Sequence, residues 1–206
     1  LHLCDRRQRQ MCIRDRPMAD PDPTNLSNVY ASWWTEEYYN KEWVLHNYES
    51  PQPVEEKAPA EEYLPGTREN LDVNICPYIE QNPDTKFVVF FPPYSILFWN
   101  DVVVGNHLEA TLAQYRYLAE RLNAYDNVEV YFFPDREDII LDLNNYADYS
   151  HYHPRYNRFM AECFADGSTG LVAKEGSKKG KTIDEYLSHM KTIVQNYDFE
   201  ELLSGE

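Results

Sequence analysis

Cysteine is scarce in this chain and poorly placed for chemistry. Of four cysteines, Cys4 and Cys12 fall in an atypical N-terminal run. Cys76 and Cys163 stand far apart with no cysteine or histidine at metal-ligand spacing, which excludes a zinc ribbon or finger and leaves either one disulfide or, by preference, two buried thiols. Glycine is sparse too, at 7 residues. Those between 167 and 180 lack P-loop spacing, so the lysine-bearing stretch 168–181 (Lys174, Lys178, Lys179, Lys181) reads as a solvated loop rather than a phosphate cradle. Basic residues are outnumbered, 19 against 35 acidic, for a net charge of -16. Such a surface repels phosphate backbones and anionic headgroups and argues against nucleic acid or an anionic membrane as partner. No run of about 20 apolar residues is present, so nothing in the sequence spans a bilayer as a helix. There is no internal repeat.

Aromatic side chains, in contrast, are abundant at 15%, with 17 tyrosines. That is too much ring surface for a disordered chain. Residues 1–16 stand apart from the rest. They hold Arg6, Arg7, Arg9, Arg14 and Arg16 against Asp5 and Asp15, reversing the charge of everything that follows. The run Met11-Cys12-Ile13-Arg14-Asp15-Arg16 resembles a translated sequencing-library adapter, and segments of that kind are set aside before reading a fold. The expectation is that residues 1–16 are not native and make no core contacts, and that the remainder is a C-terminal fragment of a longer protein. About 190 residues remain, enough for one domain with a real core.

Residues 17–66 read as an irregular, proline-punctuated segment. Within it, 33–48 gathers Trp33, Trp34, Tyr38, Tyr39, Trp43 and Tyr48, either a sugar-stacking platform or a short helix packing large rings. Residues 49–62, with Pro51, Pro53, Pro59 and five glutamates, read as a solvated loop. From 67 to 206 the pattern becomes regular. Leu71, Ile75, Tyr78 and Ile79 recur at helical spacing over 67–82, with Pro77 predicting a kink or break near Cys76. Phe87–Phe91 is a continuous apolar run suited to a strand buried on both faces. An amphipathic helix follows over 107–125, with Leu108, Leu112, Tyr115, Ala119 and Leu122 on one stripe and Asn106/Glu109 as a capping box. Residues 128–133 read as the next strand. Strand, helix and strand in that order form a βαβ unit with parallel strands. Pro154 opens another helix with Phe159, Met160, Cys163 and Phe164 on its buried face, and Gly167 stops it. A last helix starts at Thr182, capped by Glu185, with Ile183, Tyr186, Leu187, Met190, Val194 and Tyr197 forming its stripe.

The chemistry concentrates between the second strand and the Pro154 helix, in Asp142 to Asn157. Asp148 precedes His151 by three residues on one short loop. A carboxylate so placed can fix the tautomer of an imidazole and stabilise the imidazolium once the ring has taken a proton from a hydroxyl, which is the base half of a nucleophilic site. Sites in open α/β sheets lie beyond the carboxyl ends of strands, and this loop falls there. His153 reads as a neighbour of the helix start rather than a catalytic group. An Asp148/His151/His153 metal set is admissible by residue type but lacks a fourth ligand at clear spacing. Ser95 reads as a turn residue, with a substitute nucleophile as the lesser reading. Asn144 and Asn145 are suited to shaping the loop through side-chain to backbone bonds.

The order of features over about residues 68–166 resembles the C-terminal half of an SGNH (GDSL-type) hydrolase. The carriers are a buried strand ending Phe90-Phe91-Pro92-Pro93, then a helix, a strand, an Asp-x-x-His motif and a further helix. It also resembles a group of membrane-anchored bacterial proteins with Phe-Phe-Pro-Pro-Tyr-Ser and Asp-x-x-His-Tyr segments. The resemblance implies an α/β fold, a partial three-layer flavodoxin-like SGNH-type sandwich with parallel strands. It implies His151 as general base and Asp148 as its orienting partner, with no cofactor and no metal. It implies ester hydrolysis or acyl transfer on an acylated carbohydrate, a cell-envelope polymer or a small ester, by a protein outside the cytoplasm whose membrane anchor precedes this chain. The family's Gly-Asp-Ser-type nucleophile block is missing here, and its oxyanion-hole Gly and Asn are not identifiable, so this chain alone is expected to be inactive. The alternative is a non-catalytic, envelope-associated glycan-binding protein that keeps the fold and uses the aromatics of 33–48.

Overall fold

The computed structural model describes residues 36–167 and 169–204. The adapter-like run 1–16, with Trp33 and Trp34, therefore lies outside the described residues. The chain divides into Leu1–Tyr38 and Tyr39–Glu206. Of the first, only a 3-10 turn, Glu36–Tyr38, is described; the second holds both strands and the α-helices of the described residues.

Two strands sit at its centre. β1 (Phe87–Phe91) and β2 (Val128–Phe132) are adjacent and parallel, in register from Phe87 opposite Val128 to Phe91 opposite Phe132. Donation from Phe87 N to Asn127 O at 2.8 Å and from Phe133 N to Phe91 O at 3.2 Å extends the ladder at both ends. The predicted parallel pairing is thus present, in a mixed α/β fold with a two-stranded parallel sheet among the described residues. Strand alternation sorts β2 onto two cores. Val128, Val130 and Phe132 face a large cluster with Leu112, Ala119, Leu122, Leu187 and Met190. Tyr131 and Phe133 face a smaller one with Met160 and Cys163.

β1 departs from expectation. It is not buried on both faces, because Val88 and Phe90 are 38% and 40% exposed. Among the described residues β1 pairs with β2 alone, and with the Phe164 ring against Phe90 its second face stays partly in water. Phe91, on the other face, is buried against Tyr115 and Phe132 at ring separations of 4.8 and 5.4 Å.

The helices follow local chemistry. α1 (Lys41–His46) is N-capped by Asn40, whose Oδ1 accepts from Trp43 N at 2.7 Å. It buries only Val44 and leaves Trp43 38% exposed. The helical pattern of 67–82 is two helices, α2 (Leu64–Asn74) and α3 (Cys76–Gln81), broken at Ile75 because Pro77 cannot continue the ladder. α4 (Ile96–Val104), unread in the sequence, is capped by Ser95. α5 (Leu108–Asn123) carries the predicted stripe, but the Asn106/Glu109 capping box does not form. Asn106 has φ 57°, and its side-chain amide donates instead to Val54 O and Glu55 O. With Val54 N to Val104 O and Ala58 N to Asn106 O, both 3.0 Å, these bonds lay the exposed 49–62 segment against the end of α4 rather than leaving it to solvent alone.

α6 (Glu137–Ile140) is one turn. α7 (Arg155–Asp166) starts after Pro154 and ends at Gly167 in the left-handed region, both as predicted. α8 (Ile183–Asn196) has the Thr182/Glu185 capping box and buries Ile183, Tyr186, Leu187, Met190 and Val194. α9 (Phe199–Ser204) is the last described element. The 168–181 stretch is only partly solvated. Phe132 N donates to Gly170 O at 2.7 Å and Val172 N to Val130 O at 2.8 Å, so residues 170–172 pair with the outer edge of β2. Gly170 needs its missing side chain there: at φ 83° a Cβ would meet the Phe133 ring at 2.8 Å. Cys76 and Cys163 are free and buried.

Candidate functional site

The turn that carries Asp148 is built mostly from its own residues. Ala147 N donates to His151 O at 2.9 Å, and Tyr146 bridges Tyr152 across it. Inside the turn, one carboxylate oxygen of Asp148 accepts from Ser150 N at 2.8 Å and from His151 N at 2.7 Å. The other lies 2.6 Å from His151 Nδ1. Aspartate favours such a turn because its short side chain reaches backbone N–H groups two and three residues on. The result is a carboxylate-oriented imidazole from a single local element.

Burial works to raise the Asp148 carboxyl. The hydrogen bond and charge of the His151 ring, with the Ser150 and His151 N–H groups, outweigh it and hold the group below the usual carboxylate range. An ionised carboxylate only accepts, so Nδ1 of His151 is the N–H donor. The imidazole itself is 60% exposed and the Asp148 side chain 31%.

The turn sits beyond the carboxyl end of β1. Tyr146 Oη donates to Pro93 O at 2.6 Å, and Ser95 Oγ donates to Tyr149 O at 2.5 Å. Behind it, Asn145 is buried and donates to Ile139 O at 3.0 Å, while its backbone oxygen accepts from His153 N at 2.7 Å. Its side-chain oxygen accepts from the Arg155 guanidinium. Asn144 donates to Asp142 and accepts from Lys41 N at 3.0 Å. Both asparagines shape the loop as their residue type predicts. His153 belongs to the helix start: its Nδ1 accepts from Arg155 N at 3.1 Å, and its ring packs on Tyr39 with centroids 4.5 Å apart.

No cluster of three or more His, Cys, Asp or Glu residues suited to a metal ion occurs among the described residues, so Asp148, His151 and His153 do not form one there. Ser95 is fully buried, donates to Tyr149 and caps α4 by accepting from Leu97 N at 3.2 Å, which removes it as a nucleophile. Ser150 Oγ lies 3.4 Å from His151 Nδ1, the nitrogen already turned to Asp148.

A second carboxylate–imidazole arrangement went unread in the sequence. Asp135, just past β2, is 6% exposed and sits 3.1 Å from Nδ1 of His189 on α8; Nε2 of the same ring is 3.1 Å from Glu137. Burial pushes the Asp135 carboxyl up, against the opposing pull of His189 and Lys181. The partners are more than fifty residues apart, and no sequence signal joins them. Two clefts of about 380 and 250 Å³ open along α5 and α8, sharing Glu109, and neither includes Asp148 or His151. Among the described residues, no helix is long and apolar enough to cross a membrane.

No protein-family model matches the chain, and neither does any curated protein or solved structure.

Proposed function

We propose that Asp148 and His151 are the base half of an SGNH-type acyl-transfer centre, within a flavodoxin-like sandwich of which β1 and β2 are the C-terminal part. The observation that carries this is the 2.6 Å contact between Asp148 and His151 Nδ1, on a turn held at the exit of a parallel strand. With Nδ1–H donated to Asp148, proton exchange falls to Nε2. In the reaction, Nε2 takes the proton of a serine hydroxyl as its oxygen attacks the acyl carbonyl. It returns that proton to the departing alcohol, and a water then repeats the cycle to release the acid. Asp148 stays ionised throughout, stabilising the imidazolium.

The serine would come from a Gly-Asp-Ser-type block that this sequence does not contain. Substrates are acylated carbohydrates or small esters of the cell envelope, a class that rests on the resemblance rather than on any residue of the turn. Oxyanion donors, each contributing about 2.7–4 kcal/mol in such sites, would come from the same missing part.

The test compares this chain with a version extended upstream through the nucleophile block, on p-nitrophenyl acetate and on acetylated oligosaccharides. The 206-residue chain is expected to be inactive. The extended protein is expected to hydrolyse both, with His151→Ala lowering kcat by at least about 100-fold and Asp148→Ala by less. Full activity in the His151→Ala protein would end the proposal.

A further inference from the structure

A proton-transfer pair on an exposed turn works only if something outside the turn fixes it, because a misplacement of about 1 Å can cost on the order of 100-fold in rate. The turn's internal bonds set its shape but not its attachment to the sheet. Two side-chain bonds do that, and they run in opposite directions. Tyr146, two residues before Asp148, donates its hydroxyl to Pro93 O at 2.6 Å. Ser95, two residues after Pro93, donates to Tyr149 O, one residue after Asp148, at 2.5 Å. Both donors have no exposed surface, so water does not compete for either bond.

The two bonds therefore bracket the Asp148 backbone and pin it to the Pro92-Pro93-Tyr94-Ser95 exit of β1. We propose that Tyr146 and Ser95 are positioning residues: they set the direction of the Asp148 carboxylate and, through it, hold His151 in the Nδ1–H tautomer that leaves Nε2 as the basic atom. The catalytic meaning of this rests on the function proposed above, but its effect on the ring is measurable without any reaction.

The experiment is long-range ¹H–¹⁵N spectroscopy on the ¹⁵N-histidine-labelled 206-residue chain at neutral pH, with His151 assigned by its loss in His151→Gln. The neutral His151 ring is expected to be predominantly Nδ1–H. Tyr146→Phe removes one oxygen and keeps the packing. It is expected to raise the Nε2–H fraction by about threefold or more and to speed Nδ1–H exchange by about tenfold, with the His189 signals unmoved as an internal control. Ser95→Ala is expected to act in the same direction and Ser95→Thr, which keeps a hydroxyl, to restore the wild-type spectrum.

A folded Tyr146→Phe chain with the wild-type tautomer ratio would overturn the proposal. If that variant does not fold, the Ser95→Ala and Ser95→Thr pair decides, and identical His151 spectra in the two would overturn it equally. An extended protein without esterase activity would remove the proposed function and leave the tautomer result standing. A failed tautomer result beside a His151-dependent esterase would do the reverse.

Discussion

Asp148–His151 and Asp135–His189 are the same pair of residue types solved in two ways. The first is local: three residues separate the partners, one turn makes both, and the imidazole is mostly in water. The second spans 54 residues, joins the β2 exit to α8, and buries its aspartate. At His189 both ring nitrogens face carboxylates, Asp135 at Nδ1 and Glu137 at Nε2, each at 3.1 Å. A ring so held is a clamp between the β2 exit and α8. At His151 the carboxylate takes Nδ1, and chemistry at Nε2 does not require breaking that bond. What separates the two pairs is therefore the span of chain that each ties together and the burial of its aspartate.

The comparison breaks if the long-range pair turns out to be dispensable. His189→Ala should be the most destabilising of the substitutions considered for the two pairs. It leaves a buried carboxylate without its imidazole and detaches α8 from the Asp135–Glu137 turn. Removing one partner of a buried pair in this way costs on the order of 3 kcal/mol. The urea midpoint should fall accordingly, with the slope unchanged. A midpoint within error of wild type would show that the clamp does not hold α8.

The two aspartates should also respond to acid with opposite signs. Asp148 has its folded pKa held below the ordinary value. Its stabilising share is therefore fully present above the unfolded carboxyl value, about 4, and is lost as pH falls through the lower folded value. Asp135 has its folded pKa raised. Its contribution favours the folded state at low pH and is lost as pH rises from the ordinary value through the raised one. Asp148→Asn keeps a side-chain acceptor for the turn but loses the charge, so it should cost about 1 kcal/mol at pH 6. The gap to wild type should close below about pH 4. For Asp135→Asn the cost should instead be largest near about pH 4 and shrink as pH rises to about 6. Parallel stability–pH curves for the two variants would contradict the assignment of opposite shifts.

Locality also decided what could be read in the sequence. α5, α7 and α8 bury one stripe each, and periodicity within a dozen residues shows it. α4 did not show itself, because Ile96, Leu97, Trp99, Asn100 and Val102 are buried around most of its circumference, leaving no polar face to define a period. Its signature was the pair of ends, Ser95 before and Gly105 after. The βαβ order and the parallel pairing were legible, whereas the partial exposure of Val88 and Phe90 was not, since burial depends on what stacks on the strand and not on the strand itself. The site divides the same way. Asp148 and His151 share a turn and could be paired by spacing. Tyr146 with Pro93 and Ser95 with Tyr149 are separated by 53 and 54 residues, and only the folded chain brings them together.

The smallest expected effect on stability sharpens the comparison most. His151→Ala removes a largely exposed ring, and the turn keeps its backbone bonds to Asp148, because alanine retains the N–H that donates there and Ser150 still donates beside it. Exposed local ion pairs contribute little, so the loss should stay below about 1 kcal/mol. The same substitution is the one expected to abolish esterase activity in the extended protein. A residue that costs little to remove from the fold and nearly everything to remove from the reaction is not there for stability. His189 should show the reverse, a large loss in midpoint with kcat unchanged in the molecules that remain folded. Measuring both quantities on both variants gives four numbers, and only the crossed pattern supports the division of labour between the two pairs. If His151→Ala instead unfolds the chain as readily as His189→Ala, the turn is a structural element and its imidazole has no claim to chemistry.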